Sequence, residues 1–496
     1  MNFTELFNID LQKIWEQLCY NPEQPMIFSS GIFLWIFTAF MLIYALMHKQ
    51  DTLRIAFVTL FSYYFYYKSS GLYLALLAVV TCSDWLIALC INKVNGKYNR
   101  LALVTLSIFI DLALLCYFKY TNFILEMFIG SDVFRPLDIF LPVGISFFTF
   151  QSLSYTIDVY RRNLKPLNNL LDYAFYISFF PQLVAGPIVR AKDFVPQIRK
   201  PLYVDEQMIG RAVALIVGGL IKKSIISDYI GVNFVDRIFD SPGMYSGIEN
   251  LFSVYGYTLQ IYCDFSGYSD MAIGIALLLG FHFPDNFCAP YKSASVTEFW
   301  HRWHISLSSW LKDYVYISLG GNRKGKIRTY INLILTMLIG GLWHGANWNF
   351  IFWGGMHGVA LAFHKIWRTL WRRERGYQRS GWQKFIAQVI TFHFVAFCWI
   401  FFRSTSWENS WIMLQQIFTN FQGHIFLDLI SGYSGVMLLI ALGYFIHFLP
   451  RKLNDRYIAL VTKSSIVGQA LLIIVVIFVV AQIKSADVQP FIYFNF

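Results

Sequence analysis

The sequence predicts an all-α, polytopic membrane protein, and three observations carry that prediction. Of its 496 residues, 56% are hydrophobic and only 14% charged, whereas soluble globular chains carry about a quarter charged residues; mean hydropathy is +0.49. Aromatic residues reach 19%, with 48 Phe, 30 Tyr and 15 Trp, which suits a lipid-facing body ringed by interfacial belts. Finally, apolar runs long enough to cross or enter a bilayer recur along the whole chain, separated by short basic loops.

Before the first run, Phe3 to Leu18 repeats apolar residues on roughly one helical face. That pattern fits an amphipathic helix on the membrane surface, or a loosely packed N-terminal helix. Residues 1–26 are read as this surface segment and 27–496 as one membrane-embedded domain. No Pro-, Gly- or Ser-rich linker divides the chain, and no internal repeat of the transporter kind is visible. The first 25 residues lack a basic start followed by a short apolar core, so no cleavable signal peptide is expected.

The apolar runs fall at about 27–47, 53–67, 71–91, 101–118, 139–157, 170–189, 210–228, 250–265, 267–283, 330–343, 347–366, 385–402, 434–449 and 465–483. Several are shorter than the roughly 20 residues an upright crossing needs, so about ten to twelve crossings are expected, the remainder being re-entrant or oblique. The net charge of +11 sits mainly in short loops, such as Lys93/Lys97/Arg100, Arg161/Arg162/Lys165, Arg199/Lys200 and Arg451/Lys452. Cytoplasmic loops have this distribution, which argues against a nucleic-acid partner. Seven cysteines are scattered without a C-x-x-C pair and read as small buried hydrophobes.

Between the runs, Pro284 to Thr329 is the longest stretch without a clear span. Within it, Thr297 to Tyr316 places Phe299, Trp303, Leu307, Trp310 and Leu311 at helical spacing. A cytoplasm-side amphipathic helix is expected there, capped by Ser295 or Thr297. It leads through Gly320-Gly321-Asn322 into Tyr330 to Lys365, YINLILTMLIGGLWHGANWNFIFWGGMHGVALAFHK. Arg323, Lys324, Lys326 and Arg328 precede that stretch, and Arg368, Arg372, Arg373 and Arg375 follow it. Both flanks are therefore cytoplasmic by the positive-inside rule, and the chain must enter and return, turning near Gly340 to Gly345. From Tyr330 a helix rises roughly 21 Å to His344, against a hydrocarbon core of about 30 Å. A titratable group at such depth is a functional candidate by default.

His344 is read as a general base that takes a proton from a hydroxyl attacking an acyl carbon. A core histidine bonded to a freed carbonyl is the alternative. His304, on the preceding amphipathic helix, is placed to position or polarise an acyl donor, or else to snorkel to water. His301 completes an H-x-x-H on the same face, yet a metal site needs further ligands, and none is expected. His357 and His364 read as packing or interface residues. Asp264 and Asp270 can orient a histidine or pair with an Arg, and Asp264 can instead cap a helix after a break at Ser266-Gly267. Asp84, Asp111 and Asp158 are expected to pair within the bundle. No G-x-S-x-G elbow is present. Gly320 to Lys326 imitates a Walker A loop, but Ile327 stands where Ser or Thr must reach magnesium. That basic turn can still attract the phosphates of a nucleotide-tailed donor.

Several of these segments resemble a known family. They are PVGISFFTFQ (Pro142 to Gln151), DVYR (Asp158 to Arg161), FPQLVAGPI (Phe180 to Ile188), CDFSGYSDMA (Cys263 to Ala272), Pro290-Tyr291, EFWHRWHISLS (Glu298 to Ser308), LGGNRK (Leu319 to Lys324) and GLWHGANW (Gly341 to Trp348). Together they resemble the bacterial membrane-bound O-acyltransferases (MBOAT), in particular the alginate O-acetyltransferase AlgI type, over roughly residues 27 to 496. The resemblance implies a helical MBOAT bundle in the inner membrane. It further implies transfer of an acyl group, acetyl above all, from a cytoplasmic donor such as acetyl-CoA toward an extracytoplasmic polysaccharide. The acceptor is that polymer or a periplasmic acyltransferase partner protein, and no cofactor is bound. His344 falls on the family's catalytic histidine and His304 on its second active-site histidine, while His301 stands where this branch often has Arg. Trp343, Asn347, Asp264 and Arg302 are the candidate substrate-binding residues, with Asn347 or a backbone N–H near Gly345 facing the oxyanion. D-alanyl transfer to teichoic acid, a polysaccharide or lipid transporter, and a non-catalytic scaffold are the competing readings.

Overall fold

The computed structural model describes residues 11–22, 24–47, 49–130, 133–371 and 380–483. Every regular element among them is helical. Leu11–Leu18 is a helix, and the rest of the expected N-terminal amphipathic stretch lies outside the described residues, as do Arg372, Arg373 and Arg375. The chain groups into two compact units, residues 1–118 with 137–203, and residues 119–136 with 204–496.

The first unit is organised around Ile145–Tyr160, a helix buried along almost its whole length. Phenylalanines fill one side of the unit's core, where the Phe40 and Phe61 rings lie 4.3 Å apart and Phe180 stands edge-on to Phe61 at 5.0 Å. One polar cluster inside this core, centred on Asp84, is hydrogen-bonded within itself. Asp84 accepts hydrogen bonds from Ser107 at 2.7 Å and from Ser152, and Ser152 also meets the Tyr173 hydroxyl at 2.9 Å. Hydroxyls, more than cations, therefore surround the buried Asp84.

In the second unit the central element is Gly247–Leu278, opened by a capping box between Ser246 and Glu249. The expected break at Ser266-Gly267 does not occur: the two runs read at 250–265 and 267–283 form one helix. Gly267 serves packing instead, since a Cβ there would lie 2.8 Å from the Gly219 carbonyl oxygen, and one on Gly219 would lie 2.6 Å from the Gly267 oxygen. Small residues let two backbones approach this closely. Glu206–Leu220, which carries Gly219, runs on into a π-helical turn at Ile221–Ser227.

The predicted hairpin is present as two antiparallel limbs, Lys326–His344 and Trp348–Leu370. Their 19 and 23 residues rise about 28 and 34 Å. Helix continues through Gly340 and Gly341, and the turn is confined to Gly345, Ala346 and Asn347. These glycines do not break the limb. A Cβ on Gly341 would overlap the Phe350 carbonyl oxygen, one on Gly354 the Met337 oxygen, and one on Gly358 would lie 2.8 Å from the Ile334 Cα. Close backbone approach between the limbs is what they permit.

By length and composition, four helical stretches among the described residues suit a membrane crossing: Asp51–Lys93, Lys97–Ile129, Gly381–Arg403 and Ile466–Ile483. Gly423–Gly432 with Ser434–Phe448 makes a fifth, bent by 95°. The remaining apolar runs are shorter helices or helices diluted by buried polar and glycine residues. Arg451 and Lys452, expected in a loop, open the helix Arg451–Lys463.

Candidate functional site

Two local features bring the candidate histidines to one place in the second unit. The expected single helix over Thr297 to Tyr316 is in fact three pieces, Val296–Trp300, Ile305–Trp310 and a π-helical Leu311–Tyr316. Ser295, not Thr297, caps the first, accepting from the Glu298 N–H. The break lies at His304, whose φ of 42° puts it in the left-handed region, an uncommon conformation for a residue with a side chain. That conformation undoes the i, i+3 stacking of the H-x-x-H pair: His301 is exposed, whereas His304 is completely buried. The two histidines therefore do not share a face.

A loop residue that no sequence pattern marks holds His304. Asn286 Oδ1 accepts from the Ser306 N–H at 3.2 Å and the Ser306 hydroxyl at 2.9 Å, and it lies 3.2 Å from His304 Nδ1. The Ser306 N–H is a fixed donor, so the amide must turn its oxygen this way, and Nδ1 must then carry the imidazole proton. Asn286 Nδ2 donates to Ser269 Oγ at 3.2 Å, in agreement with that orientation. Burial pushes the His304 imidazole down to about 3, so the ring is neutral and its lone pair is on Nε2. Phe265 packs edge-on against this ring at 4.6 Å, and Phe287 lies parallel to it at 6.4 Å.

His344 is the last residue of the first hairpin limb and only 4% exposed. Trp343 joins the two histidines, with its ring 4.8 Å from His344 and 6.2 Å from His304. Trp353 and Phe402 close the other sides of the His344 ring, at 5.0 and 5.2 Å and near-perpendicular angles. Behind Trp353, His357 Nδ1 accepts from Trp300 Nε1 at 3.2 Å, so His357 is a packed, hydrogen-bonded core histidine as expected. The carbonyls that end the limb are also engaged. Lys119 Nζ donates to the Trp343 and His344 oxygens at 2.8 Å each, and the Tyr120 hydroxyl to the Leu342 oxygen at 2.5 Å.

The other candidates are distributed around this centre. Asp264 precedes Phe265 but forms an ion pair with Lys223 at 2.6 Å, both side chains 2% exposed, and Asp228 meets the same ammonium at 2.7 Å. Asp270 pairs with Lys222. Each of these two acids is thus engaged by a lysine, where an arginine or a histidine was expected. Arg302 is held by Glu298 at 2.9 Å and donates to the Cys288 carbonyl at 3.2 Å, about a third exposed. Asn347 caps the second limb, its Oδ1 accepting from the Asn349 N–H at 2.9 Å, which leaves its amide N–H groups for other partners. Among the described residues, no three His, Cys, Asp or Glu side chains are grouped to hold a metal.

Asn286, Lys119 and Tyr120 escape sequence reasoning. Lys119 carries a misleading signal: a lysine ending an apolar run looks like the edge of a span, yet Lys97–Ile129 continues for ten residues beyond it. Asn286 carries no signal, because its partners Ser269, His304 and Ser306 lie on other elements, 17 to 20 residues away.

Chemically, the arrangement is a pair of buried imidazoles in an aromatic enclosure, one at a helix end and one locked in a known tautomer. The profile of the membrane-bound O-acyltransferase family, MBOAT, matches residues 63–407, a span that contains every residue of this centre. The probable alginate O-acetylase AlgI of Pseudomonas aeruginosa is 41% identical over 404 residues, covering 79% of this chain and 75% of that protein. The peptidoglycan O-acetyltransferase of Helicobacter pylori is 39% identical over 382 residues, 71% of each chain. A teichoic acid D-alanyltransferase from Bacillus subtilis is 30% identical over 288 residues, 55% of this chain and 71% of its own.

Proposed function

Because this chain belongs to the membrane-bound O-acyltransferase family, we propose that it carries acetyl from cytoplasmic acetyl-CoA to an extracytoplasmic polysaccharide, with His344 as general base. The single observation that supports this reading is the meeting of His344 and His304 on Trp343 at the end of the hairpin. In the proposed step, the His344 imidazole takes the proton of an acceptor hydroxyl as its oxygen attacks the thioester carbonyl. The tetrahedral oxyanion collapses, the C–S bond breaks, and the leaving thiolate recovers the proton from the imidazolium. A neutral imidazole is the right form for this work. His304, with Nδ1–H committed to Asn286, presents an acceptor atom at Nε2. Positioning a hydroxyl suits it better than polarising a carbonyl, which needs a donor.

Acetyl-CoA is a substrate in this scheme and not a resident cofactor. The acceptor is the polymer itself or a hydroxyl on a periplasmic partner, and the seat of the protein is the inner membrane. Names of the relatives support acetyl over D-alanyl, because the acetylases match more of the chain at higher identity. Membrane vesicles given acetyl-CoA labelled in the acetyl group test the donor: label should appear as alkali-labile ester in the polysaccharide fraction. Label confined to water-soluble acetate, or ester-linked D-alanine in place of acetyl, would refute the assignment.

Direction is tested separately. An upright limb of about 28 Å carries His344 nearly across a core of about 30 Å, away from the basic flank at Arg323 to Arg328. In a background with the seven native cysteines replaced, Lys324→Cys should react with a membrane-permeant maleimide only. Reaction with an impermeant reagent added outside intact cells would reverse the orientation.

A further inference from the structure

The proposed general base lies at the C-terminal end of its helix. His344 is the C-terminal residue of Lys326–His344, and the last carbonyls of a helix have no partner within it. Helix ends fray for that reason, so the direction of the His344 side chain needs an external anchor. Lys119 supplies one. Its Nζ spans two successive carbonyl oxygens, those of Trp343 and His344, at 2.8 Å each. Those oxygens belong to the two peptide planes flanking the His344 Cα, and fixing both planes fixes the Cα–Cβ vector that aims the imidazole.

Tyr120 extends the clamp by one residue, its hydroxyl donating to the Leu342 oxygen at 2.5 Å. Three consecutive carbonyls are thus held by two adjacent side chains from one helix. A lysine nitrogen carries more than one N–H, and two of its donors serve these oxygens. Nothing about this arrangement requires Lys119 to touch a substrate.

We propose that Lys119 is a positioning residue for acyl transfer, holding the His344 backbone so that the imidazole meets the acceptor hydroxyl. The proposal rests on His344 being the base, and its test separates the two. Transfer of labelled acetyl from acetyl-CoA to the polysaccharide fraction is measured in vesicles holding equal amounts of folded wild type, Lys119→Met, Lys119→Arg and His344→Gln. Misplacing a catalytic group by about 1 Å can cost on the order of 100-fold, so Lys119→Met should lower kcat by about 10- to 100-fold while the KM for acetyl-CoA stays near the wild-type value. Lys119→Arg, which keeps N–H donors at that position, should recover part of the loss. If His344→Gln is inactive but Lys119→Met turns over like the wild type, the positioning role is overturned and the base stands. If His344→Gln is active, the base reading falls and the positioning role with it. A Lys119→Met loss confined to KM, or one that Lys119→Arg does not relieve, also overturns the proposal. Should Lys119→Met not accumulate, Lys119→Gln takes its place with the same outcomes.

Discussion

His344→Gln should abolish acyl transfer while leaving the protein folded in the membrane. A positioned general base contributes about 100- to 10,000-fold to a proton-transfer step, and glutamine keeps polarity and much of the volume without a basic nitrogen. The ring stands among Trp343, Trp353 and Phe402, so a side chain of comparable size leaves this enclosure largely filled. The check is the O-acetyl content of the cell's polysaccharide by mass spectrometry, in a deletion strain complemented with equal amounts of each protein. Wild-type acetylation in the glutamine variant would remove His344 from the chemistry and leave it as a core residue.

Lys223→Met should strongly destabilise the second unit. Lys223 and Asp264 are both 2% exposed and 2.6 Å apart, with Asp228 at 2.7 Å on the other side of the ammonium. Breaking a buried ion pair from one side costs about 3–5 kcal/mol, because the remaining charge is stranded without its partner. Here two carboxylates lose the same cation. Thermal unfolding of the detergent-purified protein should therefore show a clear drop in Tm, and adding Asp264→Asn should restore part of it. An unchanged Tm would mean that water or another cation replaces the ammonium freely. The triad joins the π-helical turn Ile221–Ser227 to the central helix, so its loss should also loosen the helix that presents Phe265 to His304.

Much of the site is legible in the residues. An imidazole within an apolar run flanked on both sides by basic clusters is expensive, and that cost alone draws attention to His344. His304 emerges more weakly, since an interfacial histidine is common, and its importance comes with the family resemblance. The hairpin is legible because charge on both flanks and apolar length together permit little else. The glycines mislead for a definite reason. In a soluble helix glycine is destabilising, so Gly340-Gly341 and Ser266-Gly267 suggest breaks. In a bundle with many close helix contacts the same absence of a Cβ is spent on backbone approach, as Gly341 against Phe350 and Gly267 against Gly219 demonstrate.

By itself the sequence determined that the protein is helical, that it lives in a membrane, that its family is the O-acyltransferases, and that its candidate chemistry centres on His344. Periodicity, hydropathy and charge are local properties and can be read along a chain. Only the tertiary structure decided that His304 sits at a left-handed break, that Asn286 sets its tautomer, that Asp264 belongs to Lys223, and that Lys119 grips the end of the limb carrying His344. Each of these depends on which groups meet across 18 to 225 residues of sequence. Packing alone makes that choice, because a buried polar group must take whatever partner the fold brings within hydrogen-bonding distance.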